Sequence, residues 1–271
     1  MTKNGKNLLD SIVAAKRLEV AERVRTRSRQ ERAALERAAA DAGQGRSLRG
    51  ALTSSSSPRI IAEFKRRSPS AGEFTGASDM ERVVRGYEAA GAAALSILTD
   101  SHSFGGCLED LGHARSITGL PILQKDFIID AEQLVEARAY GADAILLIAA
   151  VLQTDEVTRL ISAAHSLSLE VLLELHTVEE LERMNQSVDV VGVNNRDLKT
   201  LQIDVARSFE LAEYLPRESI RISESGLRTP EIVRELHSAG YSGFLMGERF
   251  LQEEEPGLAC ASFLKDFGGT R

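Results

Sequence analysis

The sequence predicts an α/β fold, one (β/α)8 TIM barrel with an N-terminal helical extension, on three observations. Short apolar runs alternate with amphipathic stretches from Arg59 onward, as in a parallel sheet joined by helical crossovers. Three helix-to-strand junctions look alike: Ala90-Gly91-Ala92-Ala93-Ala94, Tyr140-Gly141-Ala142-Asp143-Ala144 and Ala239-Gly240-Tyr241-Ser242-Gly243. Each glycine suits the left-handed position that ends a helix. Gly91 to Gly141 is a step of 50 residues and Gly141 to Gly240 a step of 99, which fits two and four βα units of roughly 25 residues. The third observation is size: 271 residues suit a single barrel of about 250 residues, and eight strands at this pitch close on themselves. A doubly wound sheet is the competing architecture. It calls for a first turn of the form G-x-G-x-x-G, and none follows Ile60–Phe64.

The elements follow in order. Leu8, Leu9, Ile12 and Val13 recur at helical spacing, and Leu18, Val20 and Val24 extend the stripe. This predicts an amphipathic helix that packs on its own barrel. Residues 25–45 are rich in Arg, Glu, Ala and Gln and predict an exposed, frayed helix. Ser54–Ser57 and Pro58 mark a break. The expected division is residues 1–55 as the helical extension and 56–271 as the catalytic barrel. Candidate strands are Ile60–Phe64, Ala94–Leu98, Ile122–Gln124, Ala144–Ile148, Glu170–Leu173, Val190–Val193, Ile220–Ile222 and Gly243–Met246. Helical patterns between them include Ala131–Tyr140, Glu156–His165, Glu179–Met184 and Pro230–Ala239.

Composition narrows the function classes. Hydrophobic residues make up 43% and charged residues 27%, ordinary values for a globular enzyme with a full core. A net charge of −7 disfavours nucleic acid as a partner and leaves room for a local site that binds one phosphate. Cys107 and Cys260 have no metal-type spacing and form no disulfide framework, so free thiols in the cytoplasm are expected. Met1–Lys16 lacks a signal-type apolar core. The longest apolar run, Ala144–Leu152, is too short to span a bilayer, so no membrane partner is expected.

In this fold active sites form where strands end. Strand one ends Glu63-Phe64-Lys65, with Glu63 and Lys65 two apart and therefore on one face. Strand three ends in Lys125 and strand five in Glu174. Strand six ends Asn194-Asn195-Arg196, strand seven Ser223-Glu224-Ser225-Gly226 and strand eight Met246-Gly247-Glu248. One charged strand end is an ordinary solvated cap. Two lysines and three glutamates on a single rim can balance one another and hold a polar ligand. Phosphate sites in such barrels use the loops after strands seven and eight. Gly226 and Gly247 allow backbone N–H groups to approach an anion, and Ser225 adds a hydroxyl. A small phosphorylated molecule is the expected substrate.

These residues carry a resemblance. Ile61-Ala62-Glu63-Phe64-Lys65-Arg66-Arg67-Ser68-Pro69-Ser70 resembles the first-strand signature of the indole-3-glycerol phosphate synthases. Leu98-Thr99-Asp100 with Phe104-Gly105-Gly106 and Leu123-Gln124-Lys125-Asp126-Phe127-Ile128 are similar to the family's later motifs. So are Leu173-Glu174, the run from Gly192 to Leu198, Ser223-Glu224-Ser225-Gly226 and Phe244-Leu245-Met246-Gly247-Glu248. The match runs from about Ile60 to Leu251 and includes the N-terminal helix. Ala71 stands where members often have lysine, Leu175 precedes His176 where many read Val-His, and residues 25–45 match poorly.

The resemblance implies closure of an indole ring with no metal or organic cofactor. The implied substrate is 1-(2-carboxyphenylamino)-1-deoxyribulose 5-phosphate. The implied products are indole-3-glycerol phosphate, carbon dioxide and water, in tryptophan biosynthesis. It implies Lys125 as general acid, with a pKa lowered by desolvation beside other cations, and Glu174 as general base. Lys65 either contacts the substrate carboxylate or is the second acid. Glu63 orients a lysine, and Asn194 bonds substrate hydroxyls. Arg196 and Glu224 support the network, while Ser68 and Phe127 line the site. Ser225, Gly226, Gly247 and Glu248 fall to the phosphate end. Association with other enzymes of that pathway is not readable from the sequence. Two other readings compete. A phosphoribosylanthranilate isomerase needs a Cys and Asp pair at strand ends, and Cys107 and Cys260 lie elsewhere. A non-catalytic scaffold predicts scattered rather than converging rim charges.

Overall fold

The computed structural model describes residues 8–55 and 57–268. The first seven residues of the expected extension, Ser56 in the expected break and the last three residues lie outside the described residues. Eight parallel strands form a closed barrel in sequential order: β1 (Arg59–Phe64), β2 (Ala94–Leu98), β3 (Ile122–Lys125), β4 (Ala144–Ile148), β5 (Glu170–Leu175), β6 (Val190–Asn194), β7 (Arg221–Glu224) and β8 (Gly243–Met246). β8 closes on β1 with Ile60 opposite Phe244. All eight expected strands are present. Several run a residue or two further than their apolar run, because the ladder continues under the charged residues that close them.

The alternation of side chains sorts each strand into two faces. Ile61, Leu123, Leu146, Leu172, Ile222 and Leu245 fill the barrel interior. Ile60, Phe64, Ile97, Leu147, Val193 and Phe244 face the surrounding helices. Position 63 on β1, 125 on β3, 174 on β5, 194 on β6 and 224 on β7 share the inward parity, one layer above the apolar plug. The repeated glycines behave as expected: Gly91, Gly141 and Gly240 have φ of 92°, 91° and 102°.

The extension has three helices, α1 (Leu8–Thr26), α2 (Arg29–Asp41) and α3 (Leu48–Thr53). α3 drives Leu48 and Leu52 into the same apolar cluster as Ile61, Ala94 and Ile222, plugging the mouth where the strands begin. α1 lies at the opposite rim, where Leu9 and Ile12 join a cluster with Phe127 and Ile148. Its stripe departs from the expected one. Leu18 is 74% exposed while Lys16 is 2% exposed. Lys16 Nζ sits 3.0 Å from both Asp100 Oδ2 and Asp126 Oδ1, and this ion cluster outweighs the cost of burying the ammonium.

Residues 25–45 are mostly helical and mostly exposed, as expected, but α2 is not frayed. Ser28 and Glu31 form a reciprocal capping box at the start of α2. Arg32 and Arg27 reach Glu132 and Arg27 pairs with Glu136, both acids lying on the helix after β3. The remaining long helices are α4 (Met80–Ala90), α5 (Leu108–Ile117), α6 (Ala131–Ala139), α7 (Thr154–Ser166), α8 (Ala206–Ala212), α9 (Pro230–Ser238) and α10 (Pro256–Gly268). The helix expected at Glu179–Met184 is a single 3-10 segment, Glu179–Arg183. Its backbone N–H groups bond three residues back, Leu181 to Val178 and Met184 to Leu181, the tighter pattern that short pieces adopt. Among the described residues no helix is long and apolar enough to cross a membrane.

Candidate active site

The C-terminal ends of the strands open into a cavity of about 610 Å³. Glu63, Lys65, Lys125, Phe127, Glu174, Asn194, Arg196, Glu224, Ser225, Gly226, Gly247 and Glu248 line it. Thus residues from β1, β3, β5, β6, β7 and β8 and their loops converge on one volume. Ser68 lies outside it. It sits in a small adjoining recess with Leu9, Ile12, Phe104 and Phe127. Its hydroxyl accepts from the Ala71 backbone N–H at 3.1 Å, inside a two-residue-per-strand hairpin made by Arg67–Ser68 and Gly72–Glu73.

Lys125 is the hub. Its Nζ donates to Glu174 Oε2 at 2.8 Å and lies 3.1 Å from Glu224 Oε2. Glu174 and Glu224 are each 1% exposed, so these contacts are nearly dry and their electrostatics little screened. Burial works against the charge on Lys125, but the carboxylates of Glu174, Glu224 and Glu63 outweigh it and raise its pKa. This corrects the expected lowering. The neighbours of this lysine are anions, not cations, because the three strand-end charges acting on it, Glu174, Glu224 and Glu63, are carboxylates and Lys65 is already engaged with Glu63. Lys65 Nζ donates to Glu63 Oε1 at 2.6 Å and stands 5.8 Å from the Phe74 ring centroid.

The two carboxylates that share Lys125 are unequal. Burial alone would raise Glu174, yet Lys125 and then His176, with hydrogen bonds from Lys125 and Asn194, lower its pKa. Burial raises Glu224 with less compensation: Lys125 pulls down while Glu174 and Glu63 push up, and the pKa stands at about 7. One site therefore holds an ionised carboxylate and a second poised near neutrality on either side of a protonated amine. That is the equipment for moving protons in both directions. Among the described residues no group of three or more His, Cys, Asp or Glu side chains is arranged to hold a metal ion.

A family model described as Indole-3-glycerol phosphate synthase matches residues 9–263. The chain belongs to the indole-3-glycerol phosphate synthase family. The synthase of that name from Bacteroides thetaiotaomicron is 47% identical over 260 residues, 96% of this chain and 98% of the relative. One from Burkholderia vietnamiensis is 40% identical over 256 residues, 94% and 98% of the two chains. Among solved structures, a mutant tryptophan synthase alpha-subunit from Pyrococcus furiosus matches with a TM-score of 0.59 at 12% identity, over 79% of this chain and 98% of that one. Thiamine phosphate pyrophosphorylase from the same source matches at 0.58 and 15%, over 82% and 98%. These two likenesses show the barrel fold alone. The family places the chain among the carboxy-lyases of tryptophan biosynthesis.

As a member of the indole-3-glycerol phosphate synthase family, the chain has a cavity with two ends. At one end Phe104, Phe127, Leu146, Ile148 and Leu198 form an apolar wall. At the other stand Ser225, Gly226 and Gly247, with Arg228 and Arg249 beside them. Ser225 and Gly226 have φ of 68° and 76°, two successive left-handed residues that make a sharp turn after β7. Such a conformation is uncommon for a serine. Gly247 caps the one-turn helix Glu248–Leu251, whose first N–H groups have no partner within the helix. Arg196 does not reach this turn freely: its Nη2 is 3.0 Å from Glu248 Oε2. The Asn194 side-chain oxygen accepts from the Arg196 backbone N–H at 3.0 Å.

Sequence reasoning missed four participants. Lys16 was hidden among apolar stripe positions. Asp126 holds Lys16 and accepts from Thr99 Oγ1 at 2.5 Å, immediately next to Lys125. Gly192 is inward on β6, and a Cβ there would lie 2.5 Å from Glu224 Oε1; only glycine leaves the carboxylate its place. His176 flanks Glu174 from the side opposite Lys125. Two signals were available: spacing, since 174 and 176 share a face, and the place of Leu175-His176 where many members of the family read Val-His.

Proposed function

We propose how the cavity divides the reaction of its family, the conversion of 1-(2-carboxyphenylamino)-1-deoxyribulose 5-phosphate to indole-3-glycerol phosphate. The observation that carries this reading is the hydrogen bond of Lys125 to Glu174 at 2.8 Å, with Glu224 at 3.1 Å, at the centre of the strand-end cavity. The sugar phosphate takes the turns at Ser225, Gly226, Gly247 and Glu248, where backbone N–H groups and the nearby Arg228 and Arg249 favour an anion. The aromatic ring lies on the apolar wall with Phe127, and Lys65 faces its carboxylate. Ser68, in the adjoining recess, borders that end.

In the first step the ring carbon bearing the carboxylate attacks the ketone carbon. Lys125 protonates the ketone oxygen, which becomes a hydroxyl. The carboxylate leaves as carbon dioxide and its electron pair returns to the ring. This consumes one proton overall, drawn from solvent. In the second step the hydroxyl leaves as water with a proton from Lys65 or Lys125, and Glu174 takes the proton from the adjacent carbon. That forms the remaining indole double bond. Because Glu174 and Lys125 are hydrogen-bonded to each other, the proton taken by the base can pass straight back to the acid. Glu63 holds Lys65 and stabilises positive charge on the anilino nitrogen. Asn194 bonds substrate hydroxyls, Arg196 braces the phosphate end through Glu248, and Glu224 buffers the charge of Lys125.

We read residues 1–55 as an extension that serves the barrel of residues 56–271, supported by the Lys16 cluster, and the enzyme as cytoplasmic, supported by the free thiols of Cys107 and Cys260. The test is a stopped assay of the purified chain with this substrate, following indole fluorescence and carbon dioxide together. The reading expects equal amounts of both products. Carbon dioxide without indole, or neither, from the folded chain contradicts it.

A further inference from the structure

Glu174 is gripped on both oxygens. Lys125 Nζ lies 2.8 Å from Oε2, and His176 Nε2 lies 3.4 Å from Oε1. His176 is 7% exposed. Its other nitrogen, Nδ1, lies 3.6 Å from Glu180 Oε2. That same oxygen accepts the His176 backbone N–H at 2.7 Å, so Glu180 is fastened to the chain just beyond β5. Neither ring nitrogen has a closer hydrogen-bond partner among the described residues.

The chemistry of the ring then decides its charge. A neutral imidazole has one N–H and one lone pair. With a carboxylate facing each nitrogen, either tautomer sets a lone pair against an acceptor. Only the imidazolium presents a donor to both. We propose that His176 is a positioning residue of the reaction: an imidazolium wedged between Glu174 and Glu180 that keeps the base ionised and aims it at Lys125. The proposal rests on the reading of Glu174 as the general base.

Other charges agree in direction. Burial pushes His176 toward neutrality, but Glu180 and Glu174 outweigh it, with Arg207 opposing, and its pKa is raised. Glu174 itself faces Lys125, His176 and Asn194, and it repels Glu224, which faces Lys125 and Glu63 as well. His176 thus adds a charge that separates the two carboxylates, together with the Asn194 hydrogen bond to Glu174 and the repulsion of Glu224 by Glu174 and Glu63. Without it, Glu174 and Glu224 would compete more evenly for the single ammonium of Lys125.

Two measurements test this. The first is 15N NMR of the enzyme labelled at its five histidines, with His176→Gln identifying the signals of His176. Both ring nitrogens are expected to be protonated at pH 7, with a titration above the ordinary histidine range. A neutral tautomer at pH 7 overturns the proposal. The second is the pH dependence of kcat, whose acid limb reports the base in the complex. His176→Gln is expected to move that limb up by about one pH unit, the low end for loss of an opposite charge at this distance. Glu180→Gln is expected to move it the same way by less, and carries the test if His176→Gln fails to fold. A uniform fall in kcat with the limb unmoved means that His176 is only packing, and overturns the proposal. Failure of the base reading appears separately, as undiminished turnover in Glu174→Gln.

Discussion

Gly192→Ala adds one methyl group at the floor of the cavity. The added carbon would sit 2.5 Å from Glu224 Oε1 and 3.1 Å from Leu172 Cδ1. A comfortable contact is about 3.5 Å, so the carboxylate must retreat by roughly 1 Å. Its contact with Lys125, now 3.1 Å, then lengthens to about 4 Å, beyond useful pairing. A displacement of that size costs roughly 10²-fold in rate where geometry is catalytic. Overpacking costs about 1–3 kcal/mol, and replacing a strand glycine by alanine returns about 0.5–1 kcal/mol. The net loss, about 0–2.5 kcal/mol, should lower the Tm by at most roughly 10 °C for a chain of this size. The assay is kcat and KM by indole fluorescence, with a melting curve on the same sample. Glu224→Asp in the same chain removes a methylene and should restore part of kcat. The reasoning fails if Gly192→Ala keeps kcat within about threefold, or if Glu224→Asp deepens the defect.

Lys125→Ala should fold and lose about 10²–10⁴ in turnover, the usual worth of a positioned acid; near-normal turnover in the folded variant removes Lys125 from the chemistry. Gly247→Val should raise KM and also lower kcat, because a Cβ there would lie 2.8 Å from Glu63 Cβ and 3.0 Å from the Glu63 carbonyl oxygen. Inorganic phosphate should compete with substrate in the native enzyme and cease to do so in this variant, and unchanged competition would place the phosphate elsewhere. Glu224 has a folded pKa of about 7 against an ordinary 4.5. Its folded state holds a proton that the unfolded state has lost, so the stability it contributes is present below about 4.5 and is lost as pH rises through about 7. The Tm of Glu224→Gln should therefore gain on wild type between pH 5 and pH 8; a flat difference refutes the shift.

The barrel was legible because its signals are local. Apolar runs, the left-handed glycines 91, 141 and 240, and the polar or charged residues closing six of the strands all report on neighbours a few residues away. Parity along the strand then puts Glu63, Lys125, Glu174, Asn194 and Glu224 on one inner rim. The rest depends on tertiary partners. Lys16 reads as a surface residue until Asp100 and Asp126 are seen facing it, while Leu18 is left exposed. The sign of the Lys125 shift depends on which charges surround it, and spacing alone does not say that three carboxylates do. Gly192 looks like a weak point in an apolar strand, since its reason is a side chain 32 positions away. The turn at Glu179–Arg183 has helical composition and too few residues to use it.

Glu174→Gln in a single-turnover experiment reaches the division of labour itself. The variant keeps the shape and hydrogen-bonding reach of the side chain and removes the base. With enzyme in excess over substrate, carbon dioxide and indole fluorescence are followed in the same quenched-flow samples. The account predicts that carbon dioxide is released, because Lys125 still protonates the ketone as the ring closes, while indole fails to form because no group takes the last proton. Loss of both products together, or formation of both at the wild-type rate, would contradict it.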